Sequence, residues 1–464
     1  MPMIPCVHGK TIAVMGLGRS GSSAARMLAL SGATVWAWDD SERSRAEAKA
    51  HGIAVTDLAK ADLSLAAFMV WSPGIPHTHP APHPVAEAAR KAGLPILCDI
   101  DLLALAAPRA RYVGITGTNG KSTTTTLIAH ILKNAGCKVV AGGNLGTPAL
   151  DLPQLGAEGV YVLELSSYQT ELLHSPCFDI GVLLNVTPDH LARHGGMQGY
   201  AAAKANLFAH LQAGGVPVIG VDDEPSRHIL DSLPAGPRAQ ILPISAEHPV
   251  EGGVFVQGGM LVDARNGGDG DTVLDLSRLA HLPGRHNGQN ACAAYAVCSL
   301  LGLDRAQIRA GMESYPGLAH RQEQIAVIDG VRYINDSKAT NADAAEKAIV
   351  CYDDIYWIAG GRPKEGGIAS LGPHFGRIRR AFLIGEAAEA FAVTLDGKVP
   401  VEQCGTLNAA LSAARRQALA DGIPGAVVLL SPACASWDQF TSFEARGDLF
   451  RALVSALPGK RSAP

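Results

Sequence analysis

The stretch GITGTNGKSTTTTLIAHIL, Gly114 to Leu132, decides how this chain folds. Just before and into it, RYVGIT (111–116) is apolar and β-rich and reads as a strand ending at Thr116. After it, STTTTLIAHILKNAG carries Leu127, Ile128, Ile131 and Leu132 at helical spacing, with Gly136 as the stop. Between strand and helix lie Gly117, Asn119 and Gly120, residue types that accept unusual backbone angles. A strand, a tight turn and a helix N-terminus aim backbone N–H groups and a helix dipole at one point, which suits a phosphate. Lys121 adds a cation for terminal phosphates, and Ser122 or Thr123 a hydroxyl for Mg²⁺. The strict G-x-x-x-x-G-K-[ST] pattern wants glycine at position 115, which is Ile115. The stretch therefore predicts a nucleotide site with a variant loop.

Working outward, the chain has 464 residues, 47% of them hydrophobic and 18% charged, with a net charge of -4. That length accommodates about three domains. No basic run stands out, so nucleic acid is not expected as a partner. No apolar stretch is long enough for membrane insertion, and MPMIPCVHGK lacks a signal-peptide core. Nine scattered cysteines without a CxxC pair read as free thiols in a reducing cytoplasm.

Toward the N-terminus, a strand in TIAVMGLGRSGSSAARMLALSG runs into Gly16, Gly18 and Gly21 in G-x-G-x-x-G spacing, and TVWAWDD ends in Asp39 and Asp40. This is a dinucleotide-fold fingerprint; the alternative is a glycine turn needed only for tight helix–strand packing. An apolar run then meets a Pro-rich loop from Ser72, whose His77, His79 and His83 read as solvated. Downstream, GVYVLELSSYQ, IGVLLNVTPDH and GGVPVIGVDDE look like strands buried on both faces, and a β-rich insert is expected over about 240–280. After YPGLAHR the α/β rhythm resumes with VRYINDSKATN, IYWIAGG, RAFLIG and AVVLLSPACAS. The expected fold is three α/β domains in series, the second starting near Ala110 with a mostly parallel sheet and the third after YPGLAHR.

Polar residues at the ends of buried strands carry most weight, because ligands of open α/β sheets sit there. Glu164 either completes a Mg²⁺ shell begun by Ser122 or faces water as a strand-end acid. His190 is either a neighbour of that site or a turn histidine; with His194 it has zinc-helix spacing, but Leu191 stands where a metalloprotease needs glutamate. Lys204, among small residues on a helix, reads as a surface lysine. Asp336, Lys338 and Asn341 form a dense polar set after a strand. SPACASWDQF repeats that arrangement with Ser431 and Ser436, followed by a helix holding Phe440 and Phe443.

GTNGKST, LELSSYQ, NVTPDH, GRHNGQN, AHR, NDSKATN and SPACASWDQF stand in the order found in the Mur ligases, and the chain resembles that family over essentially its whole length. The resemblance implies an ATP-dependent amide ligase of peptidoglycan precursor synthesis, with UDP-N-acetylmuramoyl-L-alanine and D-glutamate as substrates, on an α/β fold of three domains: Rossmann-like over 1–108, a central P-loop ATPase with a mostly parallel sheet over 109–317, and Rossmann-like over 318–464. A monomer is expected. It implies ATP at Gly117, Thr118, Asn119, Gly120, Lys121, Ser122 and Thr123, with Asn287 and Asn290 at the adenine and Arg321 and Asp336 at the ribose and phosphates. Ser122, Glu164, His190 and Lys204 would serve Mg²⁺, Lys204 as a carbamylated lysine. Asp39, the Ser72–Gly74 loop, Asn144 and Ser166 would meet the UDP-sugar substrate, and Lys338, Lys364, Ser436 and Phe443 the D-glutamate. Catalytic weight falls on Lys121, Lys338, His190 and Lys204. Asp40 and Trp437 depart from residue types common in the family and carry none. An NAD-dependent oxidoreductase built on the first glycine motif would leave the Lys121 loop and NDSKATN unexplained. The D-N-P-R motif of the diamino-acid-adding members is absent.

Overall fold

The computed structural model describes residues 3–175, 177–233, 241–279, 281–363 and 366–462, and the strands among them form three sheets. The first holds β1 (Thr11–Met15), β2 (Thr34–Trp38), β3 (Met69–Trp71) and β4 (Ile96–Leu97), all parallel, in the order β2-β1-β3-β4. The second contains β5 (Arg111–Thr116), β6 (Lys138–Gly143), β7 (Gly159–Glu164), β8 (Phe178–Leu183), β9 (Leu211–Gly220), β10 (Leu242–Ser245), β11 (Val254–Gln257), β12 (Met260–Asp263) and β13 (Asp271–Asp275). Its order is β13-β12-β11-β10-β9-β8-β5-β7-β6, parallel except for β12 against its two neighbours. The expected β-rich insert is therefore an extension of the main sheet.

The third sheet holds β14 (Glu323–Ile328), β15 (Val331–Asn335), β16 (Ile355–Gly360), β17 (Ile378–Ile384), β18 (Val401–Gly405), β19 (Val427–Leu430) and β20 (Arg461–Ser462). Its order is β18-β17-β16-β19-β15-β14-β20, with antiparallel pairing only around β14. Alternation along β17 shows why it is buried on both faces: Ala381 and Leu383 pack with Trp357 and Phe391, whereas Phe382 and Ile384 pack with Tyr333 and Phe450.

Two compact units result. One comprises 1–276 and 285–315, the other 277–284 and 316–464. The first unit holds two sheets because one apolar core runs through both: the helix Asp99–Ala106 buries Ile100, Leu102 and Leu103 in a cluster that reaches Met15 and Trp71 on one side and Tyr112 and Tyr161 on the other. No helix among the described residues is long and apolar enough to cross a membrane, and all nine cysteines are free.

Two of the three G-x-G-x-x-G glycines, Gly16 and Gly21, have steric reasons. A Cβ on Gly21 would lie 1.8 Å from the Gly16 carbonyl oxygen, and one on Gly16, at φ 89°, would lie 2.3 Å from Ser72 Cβ. Helix and loop thus approach at the point where the order of the first sheet reverses, between β1 and β3. One helix boundary differs from expectation. The last helix runs Phe443–Ser455 with Ser442 as its cap, so Phe440 lies in the loop before it.

Candidate active site

In the first unit β5 ends at Thr116, and the helix Lys121–Asn134 begins after Gly120, which caps it at φ 85°. Leu127, Ile128, Ile131 and Leu132 are all fully buried, as their spacing requires. The chain leaves β5 for β6 and β7 on one side and β8 on the other, so the loop occupies the switch point of the sheet. The segment after β8 fixes it there: Thr118 N donates to the Asn185 carbonyl at 2.8 Å and Asn119 N to Asn185 Oδ1 at 2.9 Å.

Gly120 is needed for close approach as well as for its φ. A Cβ there would sit 2.3 Å from Asn290 Oδ1, which itself accepts from Thr124 Oγ1 at 3.1 Å, while Asn290 Nδ2 donates to Asn287 Oδ1 at 2.8 Å. The Lys121 ammonium folds back on its own loop, donating to the carbonyls of Gly117 and Thr118, both at 2.8 Å. Ser122 is buried and Thr123 half-buried.

Two ionisable groups are buried beside this loop. Glu164 ends β7, 3% exposed, which removes the reading of an acid facing water. Its Oε1 accepts from Asn144 Nδ2 at 2.7 Å; its Oε2 is buried without a hydrogen bond, a state that fits a cation. Asn144 is thereby tied to the strand-end carboxylate, a contact its expected role at the UDP-sugar did not include. Lys204 is 1% exposed, which overturns the surface-lysine reading. Its Nζ donates to the Gly117 carbonyl at 2.9 Å and lies 4.6 Å from the centre of the Tyr200 ring. Burial, with the charge of Lys121 adding to it, pushes this amine down to about 6.

His190 sits at φ 51° before the short helix Leu191–His194, exposed, 3.5 Å from Asp189 and with its ring 5.2 Å from that of Tyr168. Ser166 caps the helix Ser167–Thr170. Among the described residues no three His, Cys, Asp or Glu side chains gather into a metal cage, so a magnesium ion at Glu164 would need phosphate oxygens and water as further ligands.

In the first sheet, Asp39 follows β2 and its carboxylate accepts from Leu17 N at 2.7 Å and Ser41 N at 2.8 Å, holding the glycine loop. Ser72 is half-buried and Gly74 exposed in the loop after β3. The histidine stretch that follows is not simply solvated. His77 is buried against Glu171 at 2.9 Å, and His83 bonds Asp40 at 2.9 Å and caps the next helix.

The second unit gathers another set. Asp336 follows β15, where its Oδ2 accepts from Ser431 Oγ at 2.7 Å and its Oδ1 from Gln322 N at 3.2 Å; burial raises it to about 7 despite those bonds and the charge of Arg321. Lys338 Nζ lies 4.9 Å from the centre of the Phe443 ring. Ser436 is buried and Trp437 exposed. Asn341 caps the helix Ala342–Ile349, so its side chain is occupied by folding. Lys364 lies outside the described residues. Sequence reading missed Arg446. Its buried guanidinium donates to Ser337 Oγ at 2.9 Å, the Ser337 carbonyl at 2.7 Å and the Cys434 carbonyl at 3.1 Å, locking NDSKATN to SPACAS.

With this geometry in view, residues 115–298 match the Mur ligase middle domain, and residues 2–80 match the NAD-binding domain of D-isomer specific 2-hydroxyacid dehydrogenases. A UDP-N-acetylmuramoylalanine--D-glutamate ligase of Paramagnetospirillum magneticum is 58% identical over 98% of both chains. The protein of that name from Rhodospirillum rubrum is 56% identical, over 98% of this chain and 96% of its own. The chain belongs to the Mur ligase family. The fold agrees: the solved UDP-N-acetylmuramate-alanine ligase of Thermotoga maritima superposes at a TM-score of 0.57 over 96% of this Mur ligase and 99% of its own chain, at 18% identity. The match over 2–80 reflects the Rossmann-like first sheet, where β1, the glycine turn and a helix follow one another as in dinucleotide domains.

Proposed function

We propose that this Mur ligase is an ATP-dependent amide ligase of peptidoglycan precursor synthesis, adding D-glutamate to UDP-N-acetylmuramoyl-L-alanine in the cytoplasm. The observation that carries the reading is the phosphate loop at the sheet's switch point, with Glu164 and Lys204 buried beside it, in a chain 58% identical from end to end to a ligase of that name. Residues 1–108 would take the UDP-sugar, 109–317 ATP and 318–464 the amino acid.

A carboxylate oxygen of the L-alanine attacks the γ-phosphorus of ATP, and ADP leaves. The glutamate amine then attacks the carbonyl carbon of the acyl phosphate, loses a proton, and the tetrahedral intermediate expels phosphate. Both reactants of the first step are anions, so positive charge must be in place beforehand. Lys121 turns from its own loop carbonyls to the phosphates. Gly117, Thr118, Asn119 and Gly120 offer backbone N–H groups, and Asn287 and Asn290 lie on the adenine side. In the second unit Arg321 and Asp336 serve the ribose and phosphates, and Lys338, Ser436 and Phe443, with Lys364, the glutamate and the intermediate. Asp39, Ser72, Gly74, Asn144 and Ser166 hold the UDP-sugar substrate. Mg²⁺ would be held by Ser122, Glu164 and His190, together with Lys204 once CO₂ has converted its neutral amine to a carbamate, and would neutralise phosphate charge.

The test is phosphate release from ATP with UDP-N-acetylmuramoyl-L-alanine, with D-glutamate, L-glutamate, L-alanine and a diamino acid offered separately. Turnover and a ligated product only with D-glutamate are expected. Product with another amino acid would move the specificity, and no turnover with any would overturn the reading.

A further inference from the structure

We infer that Glu171 is a positioning residue that registers the UDP-sugar loop, Ser72–Gly74, against the segment carrying His190. Its carboxylate is the meeting point of three side chains from two separate stretches of the first unit. Glu171 Oε1 lies 2.9 Å from His77 Nε2 and 3.2 Å from a terminal nitrogen of Arg193, and Oε2 lies 3.1 Å from His194 Nδ1. All four side chains are largely buried, the most exposed being 13% accessible.

Each arm reaches a proposed ligand loop by a short path. Arg193 also donates to the Ile75 carbonyl at 3.0 Å, one residue beyond Gly74. His194 Nε2 bonds Ser167 Oγ at 2.9 Å, beside Ser166. The Tyr168 ring contacts both histidine rings, at 5.4 Å for His194 and 5.2 Å for His190. A second contact supports the same register: a Cβ on Gly195 would lie 3.0 Å from the His79 ring, so that glycine lets the histidine loop settle on the turn.

Stability alone is a poor reason for such a cluster. Burying a carboxylate beside the Arg193 guanidinium gains little over an apolar cluster of the same volume, whereas directional bonds from His77 and His194 hold two loops at one separation. Burial opposes the charge of this carboxyl, but the bonds from His194 and His77, joined by electrostatic attraction that includes Arg193, together hold it at about 2.

The inference rests on the proposed role of Ser72–Gly74 in binding the UDP-sugar. In the full-length enzyme, KM for UDP-N-acetylmuramoyl-L-alanine, KM for ATP, kcat and Tm are measured for Glu171→Gln, His77→Ala, their double variant and Ser72→Ala. Glu171→Gln and His77→Ala are expected each to raise KM for the UDP-sugar about tenfold with KM for ATP unchanged, and the double variant to be no worse than the stronger single. A lowered Tm with both KM values unchanged, in either single variant, would reduce the cluster to a structural one and overturn the inference. If Glu171→Gln does not fold, His77→Ala carries the same decision. A Ser72→Ala variant with unaltered KM for the UDP-sugar would overturn the loop's assignment, and the inference with it.

Discussion

Lys204 Nζ lies 2.9 Å from the carbonyl oxygen of Gly117, so a fully buried amine touches the backbone of the loop proposed to hold the ATP phosphates. Its ordinary value of 10.5 falls to about 6 in the fold, because burial and then Lys121 disfavour the charge. A group lowered in this way contributes stability that is fully present above 10.5 and is lost as the pH falls through about 6. Lys204→Met is expected to abolish turnover yet stabilise the unmodified protein near neutral pH by about 2 kcal/mol. Phosphate release and calorimetry check the two halves, and a lower Tm for the variant would contradict the burial argument.

The Lys121 ammonium, donating to the carbonyls of Gly117 and Thr118, is the cation that the first step of the proposed reaction needs at the terminal phosphates. Lys121→Ala is expected to lower kcat by about 100-fold or more. Near-normal turnover would remove Lys121 from the phosphate site.

Asp336 shifts the opposite way, from 3.8 to about 7, with burial as the leading cause. Its contribution to stability is full below 3.8 and is lost as the pH rises through about 7. Thermal melts across that interval should show wild type losing stability relative to Asp336→Asn as the pH rises. Parallel curves would mean that the carboxyl titrates as an ordinary one.

Arg446 joins the two loops of the second unit. Arg446→Met would strip donors from the carbonyls of Ser337 and Cys434, with an expected loss of about 3 kcal/mol. Because Lys338 and Ser436 border those loops, KM for D-glutamate should rise well beyond KM for ATP. Steady-state kinetics with each substrate varied in turn decides this, and equal changes in both would leave Arg446 a purely structural role.

Local pattern made much of this readable. The strand 111–116, the glycine turn and the Lys121 helix follow from β-rich apolar residues, permissive glycines and the spacing of Leu127, Ile128, Ile131 and Leu132, each a short-range property. The first glycine motif was equally legible, and the third sheet announced itself through apolar runs such as IYWIAG. The end of SPACASWDQF was less so, since Ser442 moves the helix start past Phe440.

By itself, then, the sequence determined the order of strands, turns and helices, the glycine turn before the Lys121 helix and the family, because periodicity, turn residues and motifs are written in neighbouring positions. Only the tertiary structure decided the environments of single side chains. Lys204 stands among alanines whose pattern points nowhere, and it is buried by the Gly117 carbonyl, 87 residues away in sequence. His77 looked solvated among prolines until Glu171, 94 residues on, met it, and Arg446 shows no local sign of the Ser337 it holds. Burial, and with it charge state, depends on which distant strands end side by side, and sheet order supplies that information where local pattern cannot.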